Sequence, residues 1–573
     1  MSKTELKKTY MGPGVSAEAA TNMQAKSPSR IESVLSSKIA PYSVAFFFCG
    51  SLMVWSLIDQ SVPAHDPAWH SWSSSMVRQF LTHPKSWTAD GLLTLLTMQP
   101  AYPAGVWFFN GFFKTILGCS HLSDQVILGI QLLILNFGTY ASAQLLFNDR
   151  AKSTIAQILI NCCPIIMAIA HEPLLDLPFT AAFSVFFASF LFWNKSQTWT
   201  RTALLALVFG FCCITKQSAI MYGAPALGLA AVNCLWKRNF KGAFQIGLVF
   251  ASAGIFLLSW VIPNLKSLQE YSQYHSTFAK QSLGNPLSLF AANVACSTGR
   301  MIEGASVLIF LSFLALAFKI ERKDLKASLP LIITSFGGGL LVLASAYYII
   351  NPQSRYFTPQ LICISLLMGS ALVKLIRSSK TGQALAVVLL SLFVTQSMLL
   401  SFRARPTLLD SSMQGGKYRT LADARVIADY ALREHLWFVP EHDLWKQEWV
   451  LDTVQKVDGN KFSRLVVLSN SKPFNKGSLM YLAVNRKSKV SVDSWNGSGA
   501  DWSETFHFND GDQNYVDWFV EKTGDDVKTN FFDAKSKADF LHVLDVLHNS
   551  GTFYEAARTR LPDGTELVLH RKK

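Results

Sequence analysis

The sequence predicts a polytopic α-helical membrane protein that carries a smaller soluble α/β domain at its C-terminal end. Three observations lead there. Half of the 573 residues are hydrophobic and only 16% are charged, too few charges for a soluble chain of this length. Apolar runs long enough to cross about 30 Å of hydrocarbon recur from Pro41 to Leu400. Beyond Arg403 charges become frequent and the apolar runs shorten to strand length.

Residues 1–38 are polar, basic and rich in Ser and Ala, the composition of a disordered cytoplasmic tail. The first apolar run lies too far in, and lacks the small-residue cleavage site, to be a signal peptide. Eleven spans are expected, at 40–58, 122–147, 153–170, 177–193, 201–215, 218–235, 241–262, 301–319, 328–350, 357–374 and 382–400. Segment 103–118 is apolar but short, and Asn110 and Lys114 interrupt it.

Charge decides how that segment lies. If it does not span, the loops at 148–152, 194–201, 236–241, 319–326 and 374–380 share one side and hold 14 Lys and Arg, against eight in the longer opposite loops. The positive-inside bias therefore makes 103–118 an interfacial or re-entrant helix, the N-terminus cytoplasmic and the C-terminal domain external. The net charge of +14 is explained by these orientation signals and calls for no nucleic acid. The nine cysteines lie between Cys49 and Cys363, so the external domain has no disulfide framework. Adjacent pairs such as Cys162-Cys163 lack metal-site spacing.

Polar residues kept at a membrane interface are the functional candidates. Asp66 opens a stretch whose Trp69, Trp72, Met76, Val77 and Phe80 form one helical face, while Ser73, Ser74, Arg78 and Gln79 turn away. Asp66 suits a general base; Asp66-Pro67 equally suits a helix N-cap followed by proline at N1. His171, Glu172 and Asp176 crowd between two apolar segments, and Asp176 has the same two readings. Asp66, Glu172 and Asp176 together suit either a divalent metal ion or metal-free handling of an acceptor. Lys216 and Arg355 answer these acids as a pair able to neutralise a phosphate, with a helix start at Tyr356 adding its dipole. Alone, each suits a snorkelling anchor. A long loop at 263–300 carries Tyr271, Tyr274 and His275 and suits either a cover over substrate or a plain connection.

The order of these features resembles the GT-C membrane glycosyltransferases, in particular the bacterial lipid A aminoarabinose transferases and protein O-mannosyltransferase-like enzymes. The resemblance covers roughly residues 40–400. It rests on Asp66 in a long first loop, Tyr102-Pro103 before an aromatic segment, Asp176-Leu177-Pro178, Thr215-Lys216, and Ser354-Arg355-Tyr356-Phe357 before the penultimate span. Two departures stand out: Pro67 where the family has a second acid, and Ala101-Tyr102-Pro103-Ala104 in place of its Pro-Pro-Leu-Tyr element. The resemblance implies a hexosyl- or pentosyltransferase, and the lack of external disulfides with the short connecting loops points to a bacterial inner membrane. A polyprenyl-phosphate sugar would be the donor, and a lipid, glycan or protein the acceptor. It further implies Asp66 as catalytic carboxylate, Asp176 or Glu172 as the second acid, and Lys216, Arg355 and Tyr356 at the donor phosphate. Two other classes fit the residues alone: a transporter or flippase, although no internal repeat is visible, and an inactive relative serving as an assembly subunit.

The C-terminal domain, 403–573, is expected to hold strands at 465–470, 490–492 and 515–520, helices at 418–435 and 534–548, and a hairpin turning at Pro562-Asp563-Gly564.

Overall fold

The computed structural model describes residues 29–59, 61–63, 65–283, 286–345, 354–402, 445–459, 461–469, 474–494, 516–523 and 543–573. A short helix, α1 (Arg30–Leu35), precedes the first apolar helix, α2 (Ala40–Ile58). Next come α3 (His65–Thr82), α4 (Ala89–Thr97) and α5 (Gly105–Leu117), each too short or too polar to cross a bilayer. The bundle resumes with α6 (His121–Phe147) and the pair α7 (Arg150–Cys162) and α8 (Pro164–His171). It continues through α9 (Asp176–Lys195), α10 (Trp199–Thr215), α11 (Ala219–Trp236) and α12 (Phe240–Leu283). A second pair, α13 (Pro286–Ala305) and α14 (Val307–Leu316), leads to α15 (Arg322–Ile332) and α16 (Gly338–Ser345), which a π turn joins. Finally, α17 (Thr358–Ser378) and α18 (Lys380–Phe402) close the bundle.

Eight helices among the described residues are long and apolar enough to span, or ten if each bent pair is one span. The sequence gives eleven segments. The difference is α10, whose 17 residues reach about 26 Å, a little under the hydrocarbon thickness. The two bends are 63° between α7 and α8, at Pro164, and 94° between α13 and α14, at Ser306. A proline cannot donate the helical hydrogen bond, and Ser306 holds a positive φ of 72° while its hydroxyl caps Ile309 N.

Three expectations are corrected. Part of the tail is helical: Ser29 caps α1, and Ile31 and Leu35 pack on the bundle. Residues 1–28 lie outside the described residues. The loop at 263–300 is instead helix: α12 continues past Pro263 to Leu283, and α13 starts at Pro286. The chain leaves its apolar run without leaving its helix. Tyr271, Tyr274 and His275 lie on this extension. Finally, the serines of α3 are buried. Ser73, Ser74 and Ser75 are almost fully enclosed because α3 is packed on several sides, and small hydroxyls permit that closeness. Gly111 of α5 sits so near that a Cβ there would lie 2.7 Å from Val77 and 2.9 Å from the Ser74 carbonyl oxygen.

Segment 103–118 is α5, 13 residues or about 20 Å long, well short of a span. Trp107 is fully buried with Val77, Leu95 and Ala104, and Phe108 packs beside them. Lys114, which breaks the apolar pattern, is completely buried and paired with Asp124 of α6 at 2.8 Å.

The C-terminal unit contains α19 (Gln447–Asp458), β1 (Ser463–Val467), α20 (Lys476–Asn485), β2 (Val490–Ser494), β3 (Trp518–Lys522), α21 (543–549), β4 (Phe553–Arg560) and β5 (Glu566–Lys572). The sheet order is β2-β1-β3-β5-β4. Strand β1 runs parallel to β2 and β3, and β5 antiparallel to β3 and β4. A central parallel strand is covered on both faces, which explains the unbroken apolar run Leu465–Leu468. The three strands overlap the expected segments, with β1 starting two residues earlier and β3 three residues later, and the hairpin turns where expected. Helix 418–435 lies outside the described residues, as does most of 534–548, whose last part is α21. Ala68, Trp69 and Trp72 of α3 pack into the core of this unit beside Val450 and Tyr481.

Candidate active site

Asp66 lies in the first turn of α3, one residue inside the helix start at His65, so it is not the N-cap. Its carboxylate instead accepts from the Arg355 guanidinium at 3.3 Å. Asp176 is the first residue of α9 and makes no capping bond to the helix. It pairs with Lys216 at very short range, and with Arg355 at 3.6 Å. Four residues from four distant parts of the chain thus form one continuous series: Asp66, Arg355, Asp176, Lys216.

Local structure explains the convergence. Lys216 sits in the extended break between α10 and α11, free of either helix's side-chain register. Arg355 and Tyr356 lie on a 3-10 turn, 354–357, that leads into α17. The turn is anchored by the Tyr222 hydroxyl of α11, which donates to the Tyr356 carbonyl at 2.7 Å. Thr180 of α9 and Thr358 of α17 share a 2.6 Å hydrogen bond, which fixes Asp176 relative to Arg355. The Tyr356 ring lies under Lys216, whose ammonium is 4.5 Å from the ring centroid. Such a face favours a cation.

Exposure separates the two acids. The Asp66 side chain is 46% exposed, whereas that of Asp176 is 4% exposed. Burial pulls the Lys216 ammonium below its ordinary pKa, against the opposing pull of Asp176. Among the described residues, the buried Nε–H of Arg355 has no acceptor. The cluster as it stands holds two anions and two cations.

His70, one turn after Asp66 on α3, is a neighbour that the sequence reading passes over. It is buried, and Trp107 Nε1 donates to its Nδ1 at 3.3 Å. An indole can only donate, so Nδ1 carries a lone pair and the imidazole is neutral, with its proton on Nε2. Burial pushes its pKa down to about 4, while Asp66 pulls it up and Arg355 down. Tyr102 stands edge-on to His70 at 5.2 Å.

Glu172 is half-buried at the C-terminal end of α8, and the ion pairs of the cluster run through Asp176 instead. The preceding His171 stacks on Trp55 at 4.1 Å. The side chains of Tyr271, Tyr274 and His275 lie outside the described residues. The option of a metal held by Asp66, Glu172 and Asp176 finds no support in the geometry: Arg355 and Lys216 occupy the carboxylates where a cation would sit. Among the described residues these three acids do not bring their oxygens together as ligands.

The crystal structure of ArnT from Cupriavidus metallidurans in the apo state aligns with 93% of this chain and 98% of its own, at TM-score 0.52 and 11% identity. The fold is the GT-C fold of ArnT. The crystal structure of ArnT from the same organism bound to undecaprenyl phosphate covers the same shares at TM-score 0.49 and 12% identity. No protein-family model matches the chain, and no curated protein sequence matches it.

In this GT-C fold the cluster is built where α3, α9, the α10–α11 break and the start of α17 meet. Chemically, the arrangement offers one reachable carboxylate beside two sheltered cations. That combination can take a proton on one side and hold a growing negative charge on the other.

Proposed function

We propose that this protein is an inverting glycosyltransferase. It moves a sugar from a polyprenyl-phosphate carrier to an acceptor hydroxyl or phosphate at the outer face of the membrane. The observation that carries the reading is the ordered series from open Asp66 to buried Lys216, with the spare Nε–H of Arg355 between the acids. The fold shared with ArnT is compatible with it.

For a hydroxyl acceptor, the oxygen attacks the anomeric carbon as its proton passes to Asp66. The bond from that carbon to the phosphate oxygen breaks on the opposite side, so the configuration inverts. The departing phosphate gains one negative charge, which the mostly buried Arg355 and Lys216 stabilise. Asp176 holds the two cations in place before the donor arrives and is too buried to reach an acceptor. Tyr356 supports Lys216 through its ring face.

The test is transfer from a polyprenyl-phosphate sugar by the Asp66→Asn variant. Asn keeps the size and loses the base, so turnover should fall about 10²–10⁴-fold with little loss of folded protein. Near-normal transfer by folded Asp66→Asn would falsify the assignment. Absence of transfer by the wild type across a panel of such donors would point to an assembly subunit.

A further inference from the structure

The C-terminal unit contains a second group of chemistry-bearing side chains that shares no residue with the Asp66–Lys216 cluster. Glu521 of β3 and His570 of β5 are diagonal neighbours on one face of the sheet, since Phe519 pairs with His570 and Glu521 with Val568. Helix α21 brings His548 to the same point. One oxygen of Glu521 lies 3.0 Å from His548 Nε2 and 3.1 Å from His570 Nε2. All three ligand atoms fall within 4.8 Å of one another.

We propose that Glu521, His548 and His570 form a binding site for a divalent transition-metal cation of the Zn²⁺ class, which ties α21 to the β3–β5 face. Two imidazoles and one carboxylate are a borderline donor set that suits Zn²⁺ and its neighbours over Mg²⁺ or Ca²⁺. Tetrahedral bonds of about 2.0–2.1 Å would set these ligands about 3.4 Å apart, within a few tenths of the 3.0 and 3.1 Å from Glu521 to the two imidazoles. The half-exposed His548 supplies that adjustment by rotating, whereas His570 is buried and fixed. Solvent on the His548 side leaves room for water as fourth ligand. Three of the ligands come from three elements brought together only by folding, so binding would stabilise the folded unit.

The experiment uses the full-length protein in detergent, purified without an oligohistidine tag and stripped with a chelator. Zn²⁺ is titrated in competition with a chromophoric chelator, and thermal unfolding is followed with and without Zn²⁺. One equivalent per chain and a Zn²⁺-dependent rise in Tm are expected. Affinity should fall at least about tenfold in His548→Ala and in Glu521→Gln. His548 is solvent-facing, so its variant should fold as the wild type does, which far-ultraviolet circular dichroism checks. Either no stoichiometric binding by the wild type, or equal affinity and equal Tm rise in the His548→Ala/His570→Gln double variant, would overturn the proposal. Neither result touches the sugar-transfer reading, which is assayed separately.

Discussion

At the residue scale, the cluster is governed by who is buried with whom. Asp176 pairs with Lys216 and Arg355, and Arg355 keeps Asp66, so Asp176→Asn should leave the buried Lys216 uncompensated and cost about 3–5 kcal/mol of stability. On the proposed function, a polyprenyl phosphate should then raise the apparent Tm of Asp176→Asn more than that of the wild type, because it supplies the missing anion. An equal shift in both proteins would count against the phosphate site. His70 sets a pH limit of its own. Its folded pKa, about 4, is below the unfolded value of 6.5. The unfolded chain therefore takes up the proton first, and stability present above pH 6.5 is lost as pH falls towards 4. The full loss is about 3 kcal/mol. His70→Gln still accepts from Trp107 and cannot titrate, so its unfolding temperature should vary less between pH 6.5 and 4. A wild-type-like slope would show that other groups dominate. The acids and cations of the cluster were legible as unusual charges at an apolar interface. His70 was not, because a histidine among tryptophans leaves no charge pattern to notice.

At the scale of elements, α3 is the keystone: its Asp66 meets the active cluster, its serines meet α5 and α6, and its tryptophans meet the C-terminal unit. The fixing point is a buried network. Lys114 donates to the Ser71 carbonyl at 3.0 Å, to its hydroxyl at 2.8 Å and to Ser75 at 3.1 Å. Asp124 also accepts from Ser71 at 2.7 Å and from Tyr481 of α20 at 3.1 Å. Burial, with Asp124 alongside, pushes the Tyr481 phenol well above its ordinary pKa, so it stays a donor. Breaking this pair with Lys114→Met strands a buried carboxylate and should cost about 3–5 kcal/mol. Lys114→Met/Asp124→Asn should recover most of that, as thermal unfolding can show; a double variant as unstable as the single would deny the coupling. The network was hidden in the sequence because a fully buried lysine looks like a break in an apolar helix. Helix α20 was hidden for the opposite reason. It is buried from Lys476 to Ala483, so no polar face marks its period.

At the scale of the molecule, the spans were the most readable part, since apolar length is a direct record of hydrocarbon thickness. The bends were not, because a local backbone break leaves composition unchanged. Polarity misled at 263–283, where α12 remains helical beyond its apolar part. The positive-inside bias of the basic loops predicts that the C-terminal unit faces outside. A phosphatase fused at Lys573 should therefore be active, and a reporter that matures only in the cytoplasm should stay dark. The reverse pattern would move the whole site to the inner face.

The exposure of Asp66 has a consequence for turnover. On the proposed mechanism, the acceptor's proton resides on Asp66 after transfer, and the lipid phosphate carries the extra charge beside it. The site's total charge is thus the same before and after the chemical step. Water reaches Asp66, so the proton can leave while the phosphate is still bound. A new anion then faces the product across Arg355 and competes for the same guanidinium. Proton loss would act as the release stroke that frees the spent carrier and resets the site for another donor. Asp66→Asn has no proton to shed, so the variant should hold undecaprenyl phosphate more tightly than the wild type, and its slow turnover should be accompanied by stronger product inhibition.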